Sequence, residues 1–192
     1  MTPADDSPTR LRSDAARNRT AIITAARSMA DAREPVQLNA VARAAEVGVG
    51  TVYRHFPTVE DLLETLVDDR FISLTADAAA AADAIDPVEA FRTFLRASVL
   101  VYVEDELFAT AATNARPARQ ETRRLRMGLL TEFSRLLERV ADADGLRASV
   151  GADDAMALVC GIAYAVRLSP ERPRAVVAER YLGALLDGLV QR

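Results

Sequence analysis

Hydrophobic residues recur along most of the chain every three or four positions, which is the spacing of an amphipathic helix. Outside these patterns, no run of strand length alternates apolar and polar residues. The spacing is regular in one central stretch, where Leu38, Val41, Ala42 and Ala45 fall on one face of a short helix. We predict this helix over residues 39–46 and expect the chain to be all-α.

A second short helix is predicted directly after it, over residues 49–55. Between the two, Val47-Gly48 interrupts the apolar spacing, and Gly48 supplies a backbone that can turn sharply. Val52 and Phe56 can anchor the second helix to a core. Its other side chains include four that can donate hydrogen bonds to phosphate oxygens or base edges: Thr51, Tyr53, Arg54 and His55. Two helices joined by a short turn, with donors on the second, are typical of a helix-turn-helix.

Further helices are predicted on both sides of this motif. Ser13 is a favourable N-cap for the first of them, and Thr58 is one for a helix over residues 59–82. That helix is long enough to connect the motif rigidly to the rest of the chain. Helical spacing continues over residues 86–104, 118–141, 152–168 and 174–190, with a short apolar segment over residues 107–114. Residues 152–168 are apolar almost all round, which predicts burial on more than one side.

The distribution of charge along the chain indicates that the protein binds DNA. The chain has 192 residues, enough for one or two domains, and a net charge of −4, which argues against indiscriminate coating of DNA. Between residues 10 and 55, however, eight arginines stand against four acidic residues, so the remainder is strongly acidic. A basic N-terminal module on an acidic body is typical of a DNA reader with a separate second domain. A chance excess of arginine explains the charge alone equally well.

Catalytic and metal-binding functions have little support in the sequence. The chain has one His and one Cys, which excludes most His-based metal sites and leaves no Cys-His pair or Ser-His-Asp triad outside the DNA segment. Glycine-rich phosphate loops are also absent. We therefore predict no catalytic residue, no metal and no cofactor, and we expect Cys160 to be a core residue. The polar, acidic start and the lack of a membrane-length apolar stretch predict a cytoplasmic protein.

The helix-turn-helix region resembles the N-terminal domain of the TetR family of bacterial transcriptional regulators. The resemblance covers about residues 20–67 and is carried by Leu38-x-x-Val41-Ala42-x-x-Ala45-x-Val47, by Gly50-Thr51-Val52-Tyr53-Arg54-His55-Phe56 and by Leu62-Leu63. It implies an N-terminal three-helix helix-turn-helix domain over residues 13–58. Before that domain, prolines and acidic residues predict a disordered tail over residues 1–12. A larger helical ligand-binding and dimerisation domain is then expected over residues 59–192. There the resemblance is limited to the all-helical character and is not carried by a sequence motif.

The resemblance also implies a set of DNA-contacting residues. They are Gln37, Asn39, Val49, Gly50, Thr51, Tyr53, Arg54 and His55. Arg54 is the candidate for a guanine contact, because its fork of donors matches O6 and N7. Tyr53 and His55 are expected to position phosphates, although plain packing is an alternative for both. Two positions depart from the family pattern: Glu46 stands where the turn usually has Gly, and Gly48 stands where Ser or Thr often caps the second helix.

A ligand cavity is expected between the helices of the second domain. Its candidate residues are large and mostly apolar, and each taken singly is more often plain core: Phe71, Leu74, Phe94, Leu95, Tyr102, Phe108, Met127, Phe133, Met156 and Tyr164. Four arginines could orient an acidic ligand, but the sequence does not fix which of them points inward: Arg92, Arg96, Arg126 and Arg167.

The last two helices are expected to form a homodimer. Small residues on them would let two copies approach closely in a four-helix bundle about a two-fold axis: Gly161, Ala165, Gly183, Ala184 and Gly188. Absorption of the surplus apolar surface inside one subunit is the alternative. Together, these features predict a DNA-binding regulator, a ligand-responsive homodimeric repressor on a near-palindromic operator. The expected partners are duplex DNA, an unknown small molecule and a second copy, without a membrane. The competing hypothesis is a helical protein-interaction module with an auxiliary DNA anchor.

Overall fold

The computed structural model describes residues 8–147, 150–169 and 171–191, with the backbone only for residues 8–12. Its regular elements are α1 (Pro8–Asp31), α2 (Leu38–Ala44), α3 (Val49–His55), α4 (Val59–Thr65), α5 (Asp68–Ala82), α6 (Pro87–Glu104), α7 (Glu106–Thr113), α8 (Gln120–Asp142), α9 (Ala152–Arg167) and α10 (Arg174–Leu189). Within these residues no strand forms, and one antiparallel bridge pairs Leu146 with Val190. The expected all-α class is confirmed.

The chain divides into two compact units, Met1–Leu66 and Val67–Arg192. The first unit therefore extends eight residues beyond residue 58, the end predicted for the helix-turn-helix domain. The reason is α4, which packs against α1 and buries Leu62 and Leu66 in the first unit. Burial of these two side chains removes apolar surface from water, so α4 gains most of its stability from this unit.

The first helix begins earlier than the sequence indicates. We expected a tail over residues 1–12 and a cap at Ser13, but α1 begins at Pro8 and Ser13 lies inside it. Proline is compatible with the first turn of a helix, and no glycine or further proline interrupts the chain before Asp31. Residues 1–7 of the predicted tail lie outside the described residues.

The single helix predicted over residues 59–82 is wrong, because the structure contains two helices, α4 and α5, separated at Leu66 and Val67. In a continuous helix the carbonyl of Leu66 would accept the amide of Arg70. That amide instead donates to the carbonyl of Val67 at 3.1 Å, and the carbonyl of Leu66 accepts a hydrogen bond from the guanidinium of Arg27. Arg27 of α1 thus supplies the hydrogen bond that the carbonyl of Leu66 loses where the helix is interrupted.

The second unit is a bundle of α5 to α10 around one hydrophobic core. The ring of Phe108 lies edge-on to the rings of Phe71 and Tyr102, with centroid distances of 4.9 Å to each. A second aromatic group, Phe91 and Phe94 with Phe133, packs between α6 and α8. These contacts fix α5, α6, α7 and α8 around the interior, and α9 and α10 pack on α6. Over the described residues, no helix combines the length and apolarity needed to cross a bilayer.

Candidate functional site

The turn between α2 and α3 is closed by a Schellman motif. The amide of Val47 donates to the carbonyl of Ala42 at 3.0 Å, and that of Glu46 donates to Arg43 at 3.2 Å. Glu46 occupies the left-handed position, with φ of 54°. Gly48 has an ordinary extended backbone, with φ of −63° and ψ of 140°. The prediction that Gly48 makes the sharp turn is therefore wrong, because the left-handed residue is Glu46, where the family pattern has glycine.

The helix α3 has one buried and one outward face. Val52 is fully buried and Phe56, just after the helix, is nearly so, and the two hold α3 against the first unit's core. Tyr53 is 48% exposed, which excludes a core role for this residue. The predicted DNA-contacting residues of α3 are either exposed, as are Val49, Gly50, Tyr53 and Arg54, or half-buried, as are Thr51 and His55. The outward face of α3 thus presents the predicted set together.

Arg54 is folded back along its own helix. Its Nε donates to the carbonyl of Gly50 at 3.0 Å, and Nη2 donates to Oγ1 of Thr51 at 3.4 Å. These contacts use two of the five N–H donors of the guanidinium. The side chain is exposed, so it can leave these contacts and extend outward at little steric cost. A guanine contact therefore requires a rotamer change of Arg54.

The residues around α3 have separate roles. Gln37 is the N-cap of α2 by position but makes no side-chain capping bond, and both it and Asn39 are exposed. Thr58 and Asp61 form a complete capping box at the start of α4. The guanidinium of Arg19 lies over the Phe56 ring, 5.6 Å from its centroid. The sequence does not reveal this contact, because it depends on how α1 packs against α3 and the residue that follows it.

The net charge of the first unit differs from that of residues 10–55, the stretch with an excess of arginine. Met1–Leu66 contains eight arginines and nine acidic residues, so the unit as a whole is not basic. The difference comes from acidic residues that flank the stretch, among them Glu60, Asp61 and Glu64 on α4. Any attraction to DNA therefore has to come from where the arginines lie rather than from the net charge of the unit.

The second unit contains a cavity of about 250 Å³, which we call the inner cavity. Three of the predicted ligand-binding residues line it: Phe71 from α5, Tyr102 from α6 and Met156 from α9. Arg126, one of the four candidate arginines, also lines it. The sequence missed its other lining residues, which are smaller or less aromatic: Ala112, Thr113, Leu129, Leu130, Asp153, Ala157 and Cys160, which was expected in the core but is only partly buried. Residue type alone could not identify them, because lining a cavity depends on where neighbouring helices separate.

The remaining predicted ligand residues lie elsewhere. Five are core residues that pack against other helices: Leu74, Phe94, Leu95, Phe108 and Phe133. Met127 is 61% exposed at the surface of α8. Tyr164 is 59% exposed and lines an outer cavity of about 380 Å³, together with Thr110, Gly161 and Arg167. The inner and outer cavities share three lining residues: Tyr102, Thr113 and Cys160.

The polar groups at the junction of the two cavities are neutral. The hydroxyl of Tyr102 donates to Sδ of Met156 at 3.2 Å. Burial, and next the neighbouring Cys160, raise the pKa of Tyr102 far above its usual value. Burial also raises the pKa of the Cys160 thiol. Both groups therefore stay protonated near neutral pH, and Cys160 is not a reactive thiolate.

Two of the four candidate arginines line the cavities. Arg126 lines the inner cavity and donates from Nη1 to the carbonyl of Asn114 at 3.0 Å. Arg167 lines the outer cavity. The other two have partners elsewhere, since Arg92 donates to the carbonyl of Gln191 at 3.1 Å and Arg96 makes a bidentate ion pair with Glu179 on α10.

Comparison with protein families gives a match for each unit. Residues 22–66 match the model described as bacterial regulatory proteins of the tetR family. Residues 86–191, more than half of the chain, match the C-terminal domain described as transcriptional regulator SbtR-like. A comparison with the curated proteins found no match.

Comparison with solved structures gives similar folds over nearly the whole chain. A TetR transcription regulatory protein from Mycobacterium vanbaalenii is 29% identical, with a TM-score of 0.57 over 94% of this chain and 99% of that one. SmeT, a repressor from Stenotrophomonas maltophilia bound to triclosan, is 19% identical, with a TM-score of 0.65 over 91% and 92%. RolR bound to resorcinol is 20% identical, with a TM-score of 0.64 over 93% and 90%. At these last two identities the likeness concerns the fold alone.

Proposed function

Because the chain belongs to the TetR family of bacterial transcriptional regulators, we propose that it is a homodimeric repressor of a near-palindromic operator, released by a small ligand. The observation that carries the DNA part is the outward face of α3. It presents Thr51, Tyr53, Arg54 and His55 on one short helix whose opposite side is anchored by Val52. Such a helix fits the major groove, with side chains reaching base edges and phosphates.

The roles on α3 follow from its chemistry. Arg54 leaves its contacts with Gly50 and Thr51 and donates two hydrogen bonds to a guanine. Tyr53 and His55 contact phosphates and set the position of the helix in the groove. Gln37 and Asn39, exposed at the start of α2, contact the backbone of the same half-site. The protein acts in the cytoplasm, without catalysis or a cofactor.

Dimerisation uses the outward faces of α9 and α10. Large apolar side chains are exposed there, including Leu158 at 42% and Val176 at 66%. A Cβ added at Gly161 or Gly188 would meet nothing within 4 Å, so both glycines face open space. Small residues beside exposed apolar ones allow the helices of a second copy to pack closely. The two α3 helices of such a dimer read the two halves of a palindrome.

The ligand acts through α5. Phe71 lines the inner cavity and lies on the first turn and a half of α5, three residues after Asp68, where that helix begins. A ligand that displaces Phe71 therefore moves the start of the helix that directly follows the first unit. Triclosan and resorcinol, bound by SmeT and RolR, are small aromatic compounds, which supports a ligand of comparable type here. The coupling is reciprocal: the ligand lowers the affinity for the operator, and the operator lowers the affinity for the ligand by the same factor.

The DNA part is tested by selecting binding sequences from randomised duplexes with the full-length protein. We expect enrichment of a near-palindrome whose half-sites are about one helical turn, or a multiple of it, apart. No enrichment over the input pool at any salt concentration would contradict the proposed function. A thermal-shift screen with small molecules separates it from the protein-interaction alternative, because a specific ligand raises the melting temperature by mass action.

A further inference from the structure

The inner and outer cavities meet at a common wall and together form one elongated site. The shared wall consists of Tyr102, Thr113 and Cys160. On the inner side, Phe71, Leu129 and Met156 supply apolar surface. On the outer side lies Arg167, the last residue of α9. A molecule with an apolar body and a polar end can thus occupy both cavities at once.

Arg167 has a donor that the protein itself does not use. Its Nη1 is buried, and it donates to no acceptor among the described residues. The guanidinium lies 5.9 Å from the ring centroid of Tyr164, a cation–π contact that orients its plane. A buried, charged donor without an acceptor is unfavourable, because it has lost hydration without compensation. An anion in the outer cavity would supply the missing acceptor.

A second cation acts on the same region. Arg126 lines the inner cavity, and its contact with Asn114 leaves further N–H donors of its guanidinium available. The charges of Arg126 and Arg167 both lower the pKa of Cys160 against the larger, opposite effect of burial. Arg126 lines the inner cavity and Arg167 lines the outer one, so a guanidinium lies in each of the two cavities that share this wall.

The charge of the site fits a single negative charge. Among the residues that line the two cavities, the charged ones are Arg126, Arg167 and Asp153, because Tyr102 and Cys160 stay neutral. Their sum is one positive charge. The second unit as a whole has the opposite balance, with 16 arginines against 19 acidic residues. A monoanion neutralises the site, whereas a dianion would leave an excess negative charge beside Asp153.

The size and lining of the inner cavity indicate the apolar part of the ligand. A dry protein cavity of about 150 Å³ holds benzene, so about 250 Å³ accommodates one aromatic ring with a substituent. The thioether of Met156 and the edge of Phe71 are favourable neighbours for a ring. The hydroxyl of Tyr102 now donates to a thioether, which is a weak acceptor. It can turn to a carboxylate oxygen with little loss.

We propose that the effector is a single-ring aromatic monocarboxylate, with its ring in the inner cavity and its carboxylate bound by Arg167, Arg126 and the hydroxyl of Tyr102. A guanidinium binds a carboxylate through two parallel hydrogen bonds, which gives both affinity and orientation. This inference rests on the proposed function, which assigns the site to the effector, and it adds the chemical class of that effector.

Calorimetric titration of the full-length protein tests the ligand class. The probes are benzoate and ring-substituted benzoates, with benzamide as the neutral isostere and phthalate as the dianion. We expect at least one monocarboxylate to bind with 1:1 stoichiometry per chain, and its amide and its dicarboxylate to bind at least tenfold more weakly. Absence of binding by every monocarboxylate at millimolar concentration, or equal binding of acid and amide, would overturn the inference.

The substitution Arg167→Gln tests the residue, with Arg180→Gln as its matched control. Arg180 also lies over a tyrosine ring, 5.2 Å from the centroid of Tyr181, but it is exposed and lines neither cavity. R167Q should weaken the best monocarboxylate at least tenfold and leave the melting temperature of the free protein unchanged or higher, because it removes an unpaired buried donor. R180Q should bind like wild type. Equal affinities of R167Q and wild type, or a lower melting temperature of R167Q, which marks a structural role, would overturn the assignment.

Measuring operator affinity in the same samples separates this inference from the proposed function. If only neutral aromatic compounds release the operator, the effector is not a carboxylate, but the protein is still a ligand-responsive repressor. Tight carboxylate binding without any change in operator affinity would confirm the binding site and contradict the ligand-responsive repressor.

Discussion

Among single residues, Glu46 has a backbone conformation that is unfavourable for a residue with a side chain. It occupies the left-handed C′ position after α2, with φ of 54°. Arg33 after α1 and Asp144 after α8 close the same kind of motif, with φ of 58° and 52°. A side chain at such a position costs about 1 kcal/mol relative to glycine. Three of the helices that the structure describes therefore end at a small, local cost in stability.

Glu46→Gly should accordingly raise the free energy of unfolding by about 0.5–1 kcal/mol. Urea denaturation measures the change. Glu34→Gly is the control, because Glu34 is also exposed and acidic but has no positive φ. The gain should be absent in that variant. A loss of stability in Glu46→Gly would mean that the Glu46 side chain stabilises the turn in a way that its geometry does not indicate.

Arg54→Ala should weaken binding to the best DNA site by about 1–3 kcal/mol and relax preference at one base pair. The reason is the loss of a bidentate contact with one guanine. Fluorescence anisotropy with a set of singly substituted duplexes measures both effects. His55→Ala should instead weaken all sequences alike, because a phosphate contact carries no base information. Unchanged affinity and selectivity in Arg54→Ala would remove Arg54 from the set of base-reading residues.

At the scale of elements, the interruption between α4 and α5 could not be predicted from the local sequence. Apolar spacing continues through it, from Leu62 and Leu66 to Phe71 and Leu74. The interruption depends on Arg27, which lies 39 positions before the carbonyl that it contacts. By contrast, α2, α3 and α6 to α10 follow from local apolar spacing. Local caps add to this signal at two helix starts: the Thr58–Asp61 box at α4 and Asp86 at α6. Local signals predicted these elements, and tertiary contacts decided where one of them divides.

Arg27→Ala should lower the free energy of unfolding by about 1–2 kcal/mol, because it leaves a helix-end carbonyl without its charged donor. Arg17→Ala is the matched control on the same helix. Arg17 is exposed and, among the side chains that the structure describes, pairs with Asp14 in a surface contact, which contributes little. Denaturant titration of both variants measures the difference. Equal stabilities of the two would mean that the contact of Arg27 with Leu66 does not hold the junction.

The cavity shows the same limit of sequence reasoning. Phe71, Tyr102 and Met156 were predictable as large residues of a helical body, and they do line it. Phe94 and Phe133 have the same character but fill the core instead. Composition cannot separate the two groups, because the difference lies in whether the facing helices are in contact or apart at that level.

At the scale of the whole molecule, binding of two half-sites requires a dimer. Replacement of Ala184 by Arg should give monomers, because the new charge would be buried without a partner in the interface. Gly161 is left unchanged in this test, because it also lines the outer cavity. Sedimentation velocity at micromolar concentration measures the state. Ala80→Arg is the control, since Ala80 is exposed on α5, a helix that packs mainly against α8 and α6. It should remain dimeric. A wild-type chain that sediments as a monomer would exclude this arrangement.

The proposed function depends on the coupling, within one molecule, of a ligand cavity to a DNA-reading helix. Its most direct test is the dissociation constant for the selected operator, measured during titration with a ligand whose binding is followed by calorimetry. The dissociation constant should rise to a plateau about 5–150-fold higher, equivalent to about 1–3 kcal/mol, and saturating operator should weaken ligand binding by the same factor. A ligand that saturates the protein while operator affinity stays constant would contradict this coupling.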